Sequence, residues 1–364
     1  MRIAVLATNR NCLARPYAGG MESITAELVT GFRARGHYVA LHAAAGTPDT
    51  LADELFTYPP LPPLSEVALR DAQIPEAWFL ADHHAFTASC AMLAARSDLD
   101  VIANHTLHHL PMSLSGALPA PVVTTLHTPP FPWMELGAAL AAPTARYVAV
   151  SRALAAQWTT LREVAVVPNG VDPSVWPLGP GSPDGDLVWV GRLAPEKAPH
   201  RAVQVARRLG RRLVLVGPPS DQGYVRRVME PLLDERVTMA GHLDRRELAR
   251  VVGASAVALV TPDWDEPFGL VCVEQALCGT PVVALGRGGV SEAVADGAGV
   301  VVPDHSDAVD ADRLEALAAA VTVAERLDRA LVRRAAAEAA GLDACVEAHL
   351  AVLRAASAGS DPTG

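Results

Sequence analysis

A chain of 364 residues with 50% hydrophobic and 19% charged positions is long enough for two domains of ordinary size, each with a substantial core. Its formal net charge of −10 and a pI of about 5.6 argue against broad nucleic-acid binding and against constant attachment to an anionic membrane. The five cysteines (Cys12, Cys90, Cys272, Cys278, Cys345) are odd in number and lack C-x-x-C spacing, which fits inert thiols in a reducing compartment. Residues 3–7 are too short an apolar run for a signal peptide, and no run has the length of a membrane span. The expected location is the cytoplasm.

Residues 2–7 read as a buried parallel strand. After a loop, Gly19-Gly20-Met21-Glu22 opens a helix expected to reach about residue 35, and residues 38–42 form a second strand. The glycines are wrongly spaced for a G-x-G-x-x-G dinucleotide fingerprint. Gly19 and Gly20 read equally as a tight turn or as a place where a ligand phosphate or sugar approaches the backbone. Residues 47–75, with the run Tyr58-Pro59-Pro60-Leu61-Pro62-Pro63, are weakly periodic and read as a surface excursion. A helix is expected over 78–95, and strands with polar ends over 100–105 and 122–128. Ligands of parallel α/β sheets lie at strand carboxyl ends, so His127 is placed to reach a substrate; the alternative is a satisfied surface histidine. Strands at 147–151 and 164–168 lead into Asn169-Gly170-Val171-Asp172-Pro173, a hinge-like turn.

The alternating pattern then restarts. A strand at 187–191 runs into Arg192-Leu193-Ala194-Pro195-Glu196-Lys197. Two cations at a strand end can clamp a diphosphate, Arg192 by its planar donors and Lys197 as a point charge; the alternative is a solvated charged loop. Strands are expected at 212–217, 237–243 and 256–260, and a helix over 224–233. The longest patterned stretch is Glu266-Pro267-Phe268-Gly269-Leu270-Val271-Cys272-Val273-Glu274, followed by Gly279-Thr280-Pro281-Val282-Val283-Ala284 and Gly288-Gly289-Val290-Ser291-Glu292. A helix starting near Gly269 and stopped by Gly279 presents free N–H groups to an anion, and Gly269 lets a ligand come close. Glu266 and Glu274 flank that helix start and suit sugar and ribose hydroxyls; a capped amphipathic helix with solvated acids has the same spacing. Residues 314–357 are alanine-rich and helical.

Other motifs compete. Asp98/Asp100, Asp184/Asp186, Asp263/Asp265 and Asp310/Asp312 have the spacing of a metal-holding acid pair, with Asp263/Asp265 nearest the candidate site. Asp82-His83-His84 carries the name motif of the DHH phosphoesterases without a partner aspartate motif. His105, His108 and His109 suggest zinc, but no further ligand completes a site, and no metal is expected.

Taken together, E-P-F-G-L-V-x-x-E, G-T-P-V-V-A and G-G-V-x-E resemble the donor-site signature of retaining glycosyltransferases of family 4. G-R-L-x-x-E-K at 191–197, G-G-x-E at 19–22, P-N-G-V-D at 168–172 and the histidine after the 122–126 strand match the same family, with Ala198 standing where the family usually has glycine. The resemblance is close over 147–302 and looser before. It implies a GT-B α/β fold: two Rossmann-like domains facing across a cleft, residues 1–170 on the acceptor side, residues 171–342 on the nucleotide-sugar side, and a helix in 343–364 returning to the first domain. It implies transfer from a UDP- or GDP-linked sugar, the co-substrate, to an unknown acceptor in carbohydrate biosynthesis, without metal or other cofactor. Arg192 and Lys197 would neutralise the leaving diphosphate together with the helix start at Gly269 and Leu270. Glu266 and the Phe268-Gly269 backbone would hold the sugar, Glu274 the ribose, and His127 with Gly19 and Gly20 would face the donor from the first domain. A GT-B epimerase or phosphorylase, or a non-catalytic sugar-nucleotide binder, would share much of this pattern.

Overall fold

Continuous apolar runs become central parallel strands here, because a strand covered on both faces needs apolar side chains on both. The computed structural model describes residues 1–182, 185–304 and 309–359. These divide into one unit of Met1–Val150, Leu154–Val167 and the residues from Cys345 on, and a second of Ser151–Ala153 and Pro168–Ala344.

The first unit contains β1 (Arg2–Leu6), α1 (Gly20–Ala34), β2 (Tyr38–Ala43), β3 (Glu54–Thr57), α2 (Ala77–Ala94), β4 (Val101–Asn104), α3 (Leu110–Ser113), β5 (Val122–Leu126), α4 (Pro132–Ala139) and β6 (Arg146–Ala149); α5 (Arg152–Gln157) and β7 (Ala165–Val166) follow. Its seven strands are all parallel, in the order β3-β2-β1-β4-β5-β6-β7. The order reverses between β1 and β4, the place where open α/β sheets take ligands. The expected excursion over 47–75 contains the edge strand β3, which pairs with β2 through Ala40↔Glu54 to Ala43↔Thr57. Its four residues are too few to show a period beside the proline run, and the proline-rich remainder lies exposed.

The second unit contains β8 (Leu187–Val190), α6 (Pro199–Arg208), β9 (Leu213–Val216), α7 (Gln222–Tyr224), β10 (Val237–Gly241), α8 (Arg245–Ala254), β11 (Val257–Val260), α9 (Leu270–Leu277), β12 (Val282–Gly286), α10 (Val290–Ala293), β13 (Gly299–Pro303), α11 (Asp310–Ala324) and α12 (Arg329–Ala340). Six parallel strands run β10-β9-β8-β11-β12-β13, with the reversal between β8 and β11. β13 was not expected from the sequence; its Gly299 admits the Val282 carbonyl, from which an added Cβ would lie 2.0 Å. The helix expected over 224–233 is instead α7, a π-helical turn Val225–Met229 and a 3-10 turn Glu230–Leu232. Pro231 accounts for the break, since it lacks the N–H that an α-helix needs there.

The alanine-rich tail holds three helices. Asp328 caps α12 by accepting from the N–H groups of Ala330 (2.8 Å) and Leu331 (3.0 Å), and α13 (Leu342–Ala358) follows Gly341. From Cys345 on, α13 belongs to the first unit. There Val346 fills the space over Gly31, where an added Cβ would sit 2.6 Å from a valine methyl, and Arg35 pairs with Glu347 at 2.5 Å. None of the described helices is long and apolar enough to cross a membrane.

Candidate nucleotide-sugar site

In the second unit the strand-end loops after β8 and β11 are stitched into one surface. Trp189 Nε1 donates to Thr261 Oγ1 (3.2 Å), and that hydroxyl donates to the Ala198 carbonyl (3.0 Å) in a buried relay. Asp263 N donates to the Glu196 carbonyl at 2.8 Å. The loop carrying Arg192 and Lys197 is thus fixed to the loop carrying Glu266. Ala198 ends the first loop in the left-handed region (φ 45°, ψ 51°), a conformation that glycine adopts without the clash its methyl brings.

The sequence-predicted residues of this unit fall around that surface. Lys197 Nζ donates to Glu266 Oε1 at 2.5 Å and lies 5.3 Å from the centre of the Trp264 ring. Arg192 pairs with Glu196 at 2.9 Å, and its side chain stays half exposed, available to an anion. Phe268 is buried, and Gly269 caps α9 at φ 101° with no side chain to occupy the first-turn N–H groups. Leu270 is the first residue of that helix. Glu274 sits one turn in; burial pushes its carboxyl up to about 7, against the pull of the Arg245 guanidinium. The G-G-V segment is the floor: Gly289 N donates to the Glu266 carbonyl (2.6 Å), and a Cβ at Gly289 would lie 2.5 Å from the Pro267 carbonyl oxygen.

Trp264 is a site residue that motif reading missed. Its Nε1 is buried without a partner beside Lys197, a donor left for a ligand. The signal was a tryptophan between two acids just before Glu266. Those acids, Asp263 and Asp265, serve arginines: Asp263 holds Arg201 (2.9 Å) and Arg287 (3.5 Å), and Asp265 holds Arg287 (3.6 Å). Asp310 likewise meets Arg201 (3.0 Å) and Arg313 (3.3 Å), and Asp98 meets Arg2 (2.6 Å) and Arg96 (2.8 Å). Asp184 lies outside the described residues.

In the first unit, Gly19 is extended and exposed, and Gly20 begins α1; Glu22 behind them is buried and accepts from Asn11 Nδ2 at 3.0 Å. Asn104 at the end of β4 accepts from Thr106 N (3.1 Å) and Oγ1 (2.8 Å) and donates to Thr124 (3.1 Å), which sets the following loop. His127 Nε2 and His105 Nδ1 share a proton bond of 3.1 Å, and the His349 ring of α13 lies 6.1 Å from that of His105. Burial first, then the neighbouring imidazole, pulls His127 down to about 3, and burial pulls His349 to about 4. His127 is therefore a neutral hydrogen-bonding ring at ordinary pH. Nothing in the alanine-rich tail singled out His349.

Comparison with known proteins identifies the family and the fold. Residues 176–330 match the family "Glycosyl transferases group 1" and residues 18–175 match "Glycosyltransferase Family 4". The chain, spanned by the two matches, belongs to this glycosyltransferase family. It is 37% identical over 197 residues to the D-inositol 3-phosphate glycosyltransferase of Mycolicibacterium smegmatis, covering 48% of this chain and 43% of that protein. It is 37% identical over 149 residues to glycogen synthase of Mycobacterium tuberculosis, covering 38% of this chain and 35% of that protein. The matched part thus spans under half the length of these curated relatives. The crystal structure of HepE from Anabaena in complex with UDP and glucose superposes at a TM-score of 0.74 with 19% identity, over 98% of this chain and all of that one. The fold is GT-B.

Proposed function

We propose that the protein is a retaining glycosyltransferase that moves a sugar from a UDP- or GDP-linked donor to an acceptor hydroxyl in carbohydrate biosynthesis, without a metal or further cofactor. The observation that carries this is the pairing of Lys197 with Glu266 beside the uncapped start of α9. The bond from the anomeric carbon to the diphosphate breaks, and negative charge develops on the leaving oxygen. Lys197, Arg192 and the N–H groups at Gly269 and Leu270 stabilise that charge from fixed positions. Glu266 neutralises Lys197; an incoming diphosphate takes over that role and leaves Glu266 to accept from sugar hydroxyls. Glu274 binds the ribose; for His127, Gly19 and Gly20 a donor-contacting role is proposed on the family resemblance alone. The acceptor oxygen bonds to the anomeric carbon on the face the diphosphate leaves while a phosphate oxygen of the leaving group takes its proton, so the anomeric configuration is kept.

The relatives' names and the UDP and glucose in HepE support a nucleotide-sugar donor. The five free thiols agree with a cytoplasmic site of action. The test is nucleotide release from UDP-glucose and GDP-mannose in the presence of a metal chelator, with the product anomer read by NMR. Release that survives the chelator and a product of unchanged anomeric configuration are expected. A strict Mg²⁺ requirement or an inverted product would remove the reading.

A further inference from the structure

The first unit holds a second imidazole cluster, apart from the one around His127. His83 stands on α2, while His108 and His109 follow β4, and one ring nitrogen from each lies within 4.8 Å of the other two. The zinc set considered from sequence was His105, His108 and His109; the fold sends His105 to His127 and brings His83 in its place. His108 is 4% exposed, and its Nε2 has no hydrogen-bond partner; His109 Nδ1 is likewise buried and unpartnered. Buried polar atoms are nearly always satisfied, so two orphaned nitrogens in one cluster point to an occupant.

The surroundings decide its chemistry. A neutral imidazole carries a lone pair on one ring nitrogen, which is the donor a metal ion takes. Phe79, Phe86 and Trp133 wall the cluster, with Trp133 stacked on His109 at 5.5 Å. Gly137 on α4 allows this approach, since a Cβ there would lie 2.9 Å from the His109 carbonyl. The adjacent carboxylate of Asp82 is engaged by Asn9 (3.3 Å) and Arg10 (3.3 Å), which also offsets the Arg10 charge facing His108. Nitrogen donors without a carboxylate disfavour Mg²⁺ and Ca²⁺ and suit borderline transition metals.

We propose that His83, His108 and His109 form a three-imidazole site for a transition-metal ion of the Zn²⁺ class, with a fourth position open on the solvent side at His83. Zinc–nitrogen bonds of about 2.0–2.1 Å place tetrahedral nitrogens about 3.3 Å apart. The cluster contracts to this mainly by rotation of His83, the exposed member. Ligation through His108 Nε2 moves the ring proton to Nδ1 and gives up the long 3.3 Å contact from Leu110 N–H. The bound ion ties α2 to the loop after β4. The site stands apart from the transfer reaction and does not rest on that reading.

The test uses tag-free protein stripped with a chelator, then dialysed against Zn²⁺ or Co²⁺ with metal analysis, Co²⁺ absorption and thermal melting. One tightly held equivalent, visible Co²⁺ bands of a four-coordinate ion and a raised melting temperature are expected. His83→Ala and His109→Ala should each weaken binding at least tenfold, while His84→Ala, one residue away on α2, should bind as the wild type does. Substoichiometric uptake, or uptake unchanged in His83→Ala, would overturn the proposal.

Discussion

The two sheets are wound alike yet end in opposite chemistry. Strand ends of the second unit carry formal charge: Lys197 pairs with Glu266, Arg192 with Glu196 and Arg287 with Asp265, and burial raises the Glu274 carboxyl. Strand ends of the first unit carry buried neutral imidazoles, His105 and His127 with His349 beside them. Fixed charge suits a diphosphate, which has the same form on every donor. Neutral rings give direction without charge and suit hydroxyls.

The largest effect expected from breaking this contrast is at Lys197. Lys197→Ala should lower transfer by about 10²–10³-fold or more, the range for losing one preorganised charge-stabilising group. The thermal melt of the variant should show that the fold is kept; turnover near wild type in a folded variant would remove Lys197 from the chemistry.

Next come two pH slopes of opposite sign. Glu274 has a raised pKa, so between about 4.5 and about 7 the folded state holds a proton that the unfolded state has lost, and stability falls as pH rises through that window. Glu274→Gln should remove this fall, making the empty protein more stable than wild type at pH 8 by up to about 3 kcal/mol, with little difference near pH 4.5. The same change should weaken nucleoside diphosphate binding about ten- to hundredfold, the worth of one or two bonds to a charged group. His349 has a lowered pKa, so between about 4 and 6.5 the unfolded state binds the extra proton, and stability rises with pH. His349→Leu should flatten that rise in chemical denaturation measured at several pH values.

A smaller effect is expected at Gly289. Gly289→Ala forces a methyl onto the Pro267 carbonyl and should cost about 1–3 kcal/mol in denaturant unfolding, with weaker donor binding. The smallest is at Ala198, where Ala198→Gly relieves a left-handed alanine. A gain of about 0.5–1 kcal/mol with unchanged turnover is expected, the lost methyl offsetting part of the relief.

The same contrast explains what could be read beforehand. Lys197, Glu266, Gly269 and Glu274 sit in two short segments with fixed spacing, because a helix start and a strand-end loop set their geometry locally. β1, β2, β4, β5, β8 and β11 were legible as continuous apolar runs. β3 was not, its four residues being too few to show a period beside the proline run, and β13, though apolar, was not picked out. His349 lies 222 positions from His127 and Trp264 between two acids; only the folded chain shows that one approaches the imidazoles and the other the lysine. His83 belonged to a three-letter motif of another enzyme class, and its companions became visible only when α2 met the loop after β4.

The most direct test of the donor-site account is thermal melting and calorimetry of the purified protein with UDP, GDP, ADP and TDP. A ligand that binds only the folded state raises the melting temperature by mass action. The account predicts a clear shift with one nucleotide, UDP or GDP, that shrinks in both Glu274→Ala and Lys197→Ala. No shift with any of the four at millimolar concentration, in protein shown to be folded, would contradict it.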